Sequence, residues 1–155
     1  MKMKIWDRRR ECACREEIDE LQRQNLARTL KWAYANVAMY RRRMDKAGFD
    51  PTAFKGPDDL RRLPFTTKQD LRDNYPFGLF AVPKDKLVRI HSSSGTTGKP
   101  TVVGYTRRDL RTWSELVARM VTAAGVTHRD TIQISFGYGL FTGGFGLHYG
   151  MERVG

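Results

Sequence analysis

Leu87–Tyr105 reads LVRIHSSSGTTGKPTVVGY, and its central stretch, Ser92–Thr101, decides how the rest of the chain is read. The flanks are apolar and rich in β-branched residues, so Leu87–His91 and Thr101–Tyr105 are expected strands. A polyphosphate between them needs convergent hydrogen-bond donors with no Cβ atoms in the way. Gly95 and Gly98 can take positive φ and turn backbone N–H groups into one concavity. The hydroxyls of Ser93, Ser94, Thr96 and Thr97 add donors, and Lys99 adds a mobile positive charge. A plain Gly/Ser hairpin connection with no ligand is the competing reading of the same residues. The common P-loop form GxxxxGK is excluded. It needs glycine where Ser93 stands and a helix straight after the lysine, whereas Pro100 leads into a strand.

A strand–loop–strand cradle of the form SSGTTGxP resembles the phosphate-binding signature of the adenylate-forming superfamily. Most of that superfamily is similar up to the proline and then carries lysine. Here Thr101 follows Pro100 and the lysine stands earlier, at Lys99, a variant that resembles the phenylacetate-CoA ligase branch. Two further blocks resemble that branch in the same order: LPFTTKQDLRDNYPFGLFAV at Leu63–Val82 and YGLFTGGFGLHYGMERVG at Tyr138–Gly155. From residue 5 onward the chain is similar to the N-terminal portion of an AMP-forming phenylacetate-CoA ligase.

The resemblance implies an α/β fold in which a helical N-terminal region, 1–85, precedes the start of the large AMP-binding domain, 86–155. It also implies an incomplete sheet, because the family's members have a larger N-terminal domain and a mobile C-terminal lid. The chain is expected to be a fragment without the adenine-pocket motif and its magnesium-binding acid, the ribose-binding aspartate, the hinge and the lid lysine. The implied reaction joins an aryl acid to CoA through an acyl-adenylate, with ATP, Mg2+ and coenzyme A. Ser93, Ser94, Gly95, Thr96, Thr97, Gly98 and Lys99 would hold the ATP phosphates, in a cytoplasmic enzyme that is a homodimer at full length. The fragment alone is expected to be inactive and, with strands short of partners, prone to aggregate. A nucleotide-binding remnant without catalysis is the second reading.

The formal net charge is +11, from 28 Lys and Arg against 17 Asp and Glu, with triplets at Arg8–Arg10 and Arg41–Arg43. Such a balance fits nucleic acid, anionic small substrates, or a solvated face offset by other parts of the protein. No aromatic residues interleave with the triplets and no recognition motif accompanies them, so a nucleic-acid module ranks last. Cys12 and Cys14, with no second pair and no histidine nearby, cannot complete a tetrahedral metal site and read as reduced thiols. No signal-peptide core and no run of 18 apolar residues is present, so neither export nor a membrane partner is expected.

Arg15 to about Lys46 is helical in period, with Ile18, Leu21, Leu30, Val37 and Met44 near one stripe and Gly48 as the stop. Family members resembling this chain carry a proline near Ala38, so one long helix and a shallow kink both stay open. Pro57–Leu63 reads as a short helix. Thr67 with Asp70, and Thr106 with Asp109, have capping-box spacing and open helices. The second of these buries Leu110, Trp113, Val117, Met120, Val121 and Ala124, and Thr131–Phe136 is expected as a third strand.

Phe136–Gly150 reads FGYGLFTGGFGLHYG. Glycines permit close approach of a helix to a neighbour, and the aromatic rings supply flat apolar walls. The resemblance implies that Tyr138, Phe141 and Phe145 line the acyl pocket; tight helix–sheet packing without ligand contact is the alternative. His91 and His148 have no nucleophile motif or ligand-spaced acid beside them, so neither is given a proton-transfer role, and no catalytic or metal-binding residue is assigned.

Overall fold

A computed structural model describes residues 4–93, 98–140 and 142–155. In chain order they form α1 (Arg8–Glu11), α2 (Arg15–Asn36), α3 (Ala38–Lys46) and α4 (Lys68–Asp73). These are followed by β1 (Leu87–Ser92), β2 (Val102–Thr106), α5 (Arg107–Ala123) and α6 (Gly143–Val154). The chain divides into two compact units. One is Cys14–Pro83; the other joins Met1–Ala13 to Lys84–Gly155.

In the helical unit, α2 is polar around most of its circumference and is supported along its exposed side by local pairs. Arg23 lies 2.6 Å from Glu20, and Arg15 pairs with Asp19. Only at Leu30 does α2 become fully buried. The helix then breaks at a single residue. Val37 is extended, at φ −122° and ψ 107°, and 2% exposed. No proline is needed: a β-branched residue tolerates the extended region, and leaving the helix there lets Val37 and Met39 both turn inward. Arg41 satisfies carbonyls left open at the end of α2, donating to Tyr34 O at 3.0 Å and to Ala35 O.

The end of α3 is a Schellman turn. Gly48 sits at φ +59°, Gly48 N–H donates to Asp45 O at 3.0 Å, and Phe49 N–H donates to Met44 O at 2.9 Å. Phe49 and Met44 then join Leu30 and Phe54 in the core of this unit, flanked by Leu26, Tyr34, Leu60 and Leu63. Pro57–Arg62 is a 3-10 helix rather than an α-helical turn. Thr67 and Asp70 form the reciprocal capping box of α4, and Arg43 reaches Asp70 from α3.

In the second unit, β1 and β2 pair antiparallel, with Ile90 opposite Gly104 and His91 opposite Val103, and an irregularity between Leu87 and Arg89. Thr106 ends β2 and caps α5 in one residue, closing its box with Asp109. Val88, Ile90 and Val103 are exposed, while His91 is buried.

Three sequence expectations are corrected here. Residues ahead of Cys14 belong with the second unit rather than with the helical region. Trp6 Nε1 donates to Glu115 Oε1 at 2.8 Å, Arg119 pairs with Asp7 at 3.3 Å, and Lys4 Nζ donates to Gly125 O at 3.2 Å. Thr131–Phe136 is not a strand. It keeps the period-two pattern, with Ile132 and Ile134 partly covered, but no ladder forms on it, and a strand needs a partner as well as a pattern. The buried stripe of α5 is also rotated, to Val117, Ala118, Val121 and Thr122, leaving Met120 55% exposed and Ala124 exposed.

Candidate functional site

The ends of the central loop are held together by a reciprocal pair. Ser93 N–H donates to Thr101 O at 3.0 Å, and Thr101 N–H donates back to Ser93 Oγ at 2.9 Å. This extends the β1–β2 ladder by one step and fixes where the loop leaves and re-enters the sheet. Gly98 takes φ +126°, a region that L side chains rarely adopt, and among the described residues, its chain neighbours aside, no atom stands within 4 Å of where its Cβ would be. Lys99 follows on the exposed side. Ser94, Gly95, Thr96 and Thr97 lie outside the described residues, as does Phe141.

Two residues before Ser93, His91 is 2% exposed. A carbonyl can only accept, so the 3.0 Å contact from Nδ1 to Leu140 O places the ring proton on Nδ1. The same carbonyl accepts from Ser92 N–H at 2.9 Å. His91 thus ties the strand entering the loop to the segment before α6. Its ring is enclosed edge-on by Tyr105 at 5.4 Å, Trp113 at 5.6 Å and Phe145 at 6.2 Å. Its described contacts are those of a packing and anchoring residue.

The glycines of α6 serve helix–helix approach rather than the helix–sheet packing weighed from sequence. A Cβ on Gly146 would stand 2.3 Å from Trp113 Cζ2, and one on Gly150 would stand 2.2 Å from Val117 Cγ1. With α6 seated this closely on α5, its aromatic residues gather on one side. Tyr138 meets Phe145 edge-to-face at 5.0 Å, and Phe145 stacks on Tyr149 at 6.3 Å. Phe145 is partly covered and borders a void of only about 10 Å³, far below the volume of an aryl ring; Tyr138 is exposed.

Several residues of this cluster carry no motif. Arg89 lays its guanidinium over Phe145 at 4.7 Å and over Tyr149 at 4.6 Å, a contact between β1 and α6 with no spacing signal in the sequence. The expectation that His148 has no acid at suitable spacing is corrected: Glu152 stands four residues on, one helical turn away, and its Oε1 lies 3.3 Å from His148 Nε2. His148 Nδ1 in turn lies 3.0 Å from the Tyr138 hydroxyl. Arg89, Arg107, Arg111 and Arg153 surround an open basic groove of about 480 Å³ beside Tyr149. Among the described residues no group of three or more His, Cys, Asp or Glu side chains comes together as a metal site, and no helix is long and apolar enough to cross a membrane.

No family model matches the chain. A phenylacetate-coenzyme A ligase of Escherichia coli (strain K12) is 59% identical over 145 residues, covering 94% of this chain and 33% of that protein. This chain matches the N-terminal portion of phenylacetate-CoA ligases. The ligase of Thermus thermophilus is 55% identical over 141 residues, 91% of this chain and 32% of its own length. The chain therefore spans about a third of the length of the curated ligases it matches. Among solved structures, a 2-hydroxyisobutyryl-CoA ligase in complex with 2-HIB-AMP and CoA superposes with a TM-score of 0.88. The match is at 32% identity and covers 97% of this chain and 33% of that one. The described helices and the two-stranded sheet are thus a partial α/β domain with the fold of that ligase.

Proposed function

We propose that this chain forms part of an enzyme that activates phenylacetate with ATP and transfers the acyl group to CoA. The observation that carries the reading is the 52–59% identity to four phenylacetate-CoA ligases, extending across the phosphate loop and the aromatic cluster. The loop anchorage at Ser93 and Thr101 supports it, since a phosphate cradle must be held at both ends.

In the first step a carboxylate oxygen attacks the α-phosphorus of ATP, the bond to the bridging oxygen breaks, and pyrophosphate leaves. The acid is already ionised at neutral pH, so this step needs alignment and charge neutralisation rather than a base. Ser93, Ser94 and Gly95 contribute to the ATP-phosphate cradle, and Thr96, Thr97, Gly98 and Lys99 hold the β- and γ-phosphates and stabilise the departing pyrophosphate. In the second step the CoA sulfur attacks the acyl carbon, AMP leaves, and the thiol proton passes to solvent. Tyr138, Phe141 and Phe145 line the aryl side of the acyl pocket. Magnesium, where bound, would supply charge neutralisation on the ATP phosphates; among the described residues no group of three or more His, Cys, Asp or Glu side chains comes together to hold it.

The test is phenylacetate-dependent exchange of pyrophosphate into ATP by a ligase of the relatives' length carrying this chain as its N-terminal portion. Exchange that appears with phenylacetate and is absent without an aryl acid is expected. Exchange unaffected by aryl acids, with or without CoA, contradicts the reading.

A further inference from the structure

Tyr138, His148 and Glu152 form a chain of polar contacts on the exposed side of α6. The Tyr138 hydroxyl lies 3.0 Å from His148 Nδ1, and Glu152 Oε1 lies 3.3 Å from His148 Nε2. The carboxylate beside Nε2 favours a proton there, which leaves Nδ1 of the neutral ring as an acceptor. Tyr138 is then the donor, and its hydroxyl is committed to His148. The ring geometry agrees: Tyr138 and His148 meet edge-on at 5.7 Å, and His148 meets Tyr149 edge-on at 5.1 Å. Tyr138 is therefore held at two points, by its hydroxyl on His148 and by its ring on Phe145 at 5.0 Å.

An exposed tyrosine ahead of a helix has two soft torsions and no packing on its outer face. Fixing it by a polar contact lowers the entropy lost when a ligand packs on its ring. We infer that His148 and Glu152 are positioning residues for Tyr138: they hold its ring as one wall of the aryl-acid site and keep its hydroxyl away from the substrate. The inference rests on the reading that Tyr138 lines that site. It gives His148 a role that needs no proton transfer to substrate, and gives Glu152 a role through His148 alone.

The commitment of the hydroxyl has a consequence for selectivity. With the Tyr138 O–H satisfied by His148, Tyr138 presents no free donor to a ring-hydroxylated acid. Release of that hydroxyl exposes a polar group to the aryl site, and polar groups left without partners discriminate strongly between a substrate with a hydroxyl and one without.

The experiment measures KM for phenylacetate, KM for ATP, kcat, and the preference for phenylacetate over 4-hydroxyphenylacetate, in a ligase of the relatives' length carrying this chain. The variants are Tyr138→Ala, Tyr138→Phe, His148→Gln, His148→Asn and the double variant Tyr138→Phe/His148→Gln. Gln places its amide near the position of Nε2 and loses the tyrosine; Asn places its amide near Nδ1 and keeps it. Loss of one hydrogen bond corresponds to about a three- to tenfold change in affinity. His148→Gln is expected to raise KM for phenylacetate by about that factor and reduce the preference for the unhydroxylated acid, with KM for ATP unmoved. His148→Asn recovers part of the loss, and the double variant is no worse than Tyr138→Phe alone. If Tyr138→Ala raises KM for phenylacetate while His148→Gln leaves both KM and preference unchanged, the positioning role is overturned and the pocket reading stands. Additive effects in the double variant overturn it equally. If Tyr138→Ala itself leaves KM for phenylacetate unchanged, the pocket reading fails and the positioning role goes with it.

Discussion

Gly146 faces Trp113 so closely that a Cβ on the glycine would lie 2.3 Å from indole Cζ2, 2.6 Å from Cε2 and 2.9 Å from Nε1. The indole has little room to retreat, because its other neighbours include the buried His91 ring at 5.6 Å and the stacked Tyr105 ring at 5.1 Å. Alanine normally favours a helix over glycine by up to about 1 kcal/mol. Here overpacking, at about 1–3 kcal/mol, outweighs that gain. Gly146→Ala should lower the thermal midpoint of the chain, and a variant equal to or more stable than the parent would show that α6 can shift off α5 at no cost.

Thr106 ends β2 and caps α5, so one side chain sets the angle at which the hairpin hands over to the helix. Thr106→Ala removes the acceptor for Asp109 N–H and the partner of the Asp109 carboxylate. A loss of about 1 kcal/mol in urea unfolding is expected, most of it restored by Thr106→Ser. Equal losses in both variants would mean the methyl group, not the hydroxyl, carries the contribution.

Asp70 is held below the usual carboxylate range by the Thr67 backbone and side-chain hydrogen bonds, with Arg43 adding to them. Because its folded pKa is depressed, its contribution is present in full above the unfolded pKa and is lost as pH falls through the folded one. The parent should therefore exceed Asp70→Asn in urea midpoint near neutral pH, and the gap should close on acidification below the ordinary aspartate range. A gap that stays constant down to low pH would remove the ionised carboxylate from the account.

Both capping boxes were legible in the sequence because they depend on residues three apart and on nothing distant. The two strands around the loop and the Gly48 stop were legible for the same reason. The break at Val37 was not, since the proline that would announce it is absent and the decision lies in burying Val37 and Met39 together. The missing ladder at Thr131–Phe136 could not be read either: the alternation is present, but pairing depends on a partner strand. The face of α5 was misread at Met120 and Ala124 because its apolar arc is broader than its buried part, leaving Leu116 and Met120 exposed, and the close seating of α6 through Gly146 and Gly150 is a tertiary fact. At the site, Ser93, Gly98 and Lys99 stand on the hairpin where the pattern put them, whereas the Arg89 contact with Phe145 and Tyr149 joins residues more than fifty positions apart.

Ser93 holds the loop by its Oγ on Thr101 N–H, at the edge of the sheet. Ser93→Ala keeps the backbone bond to Thr101 O and loses only the side-chain one. In a ligase of the relatives' length, KM for ATP should rise about three- to tenfold while KM for phenylacetate stays near the parent value. A rise in both by the same factor would indicate general loosening of the domain rather than loss of loop anchorage.

The most direct test of the phosphate-loop assignment is pyrophosphate exchange by Lys99→Ala in the same ligase, compared with its binding of phenylacetate. Loss of a charge that acts on the leaving pyrophosphate should lower the exchange rate by a factor of about a hundred to a thousand, on the order found for removal of a single stabilising donor at a reacting centre. Phenylacetate binding should be nearly unchanged. An exchange rate equal to that of the parent would contradict the assignment of Lys99, and with it the reading of Ser92–Thr101 as the cradle for ATP phosphates.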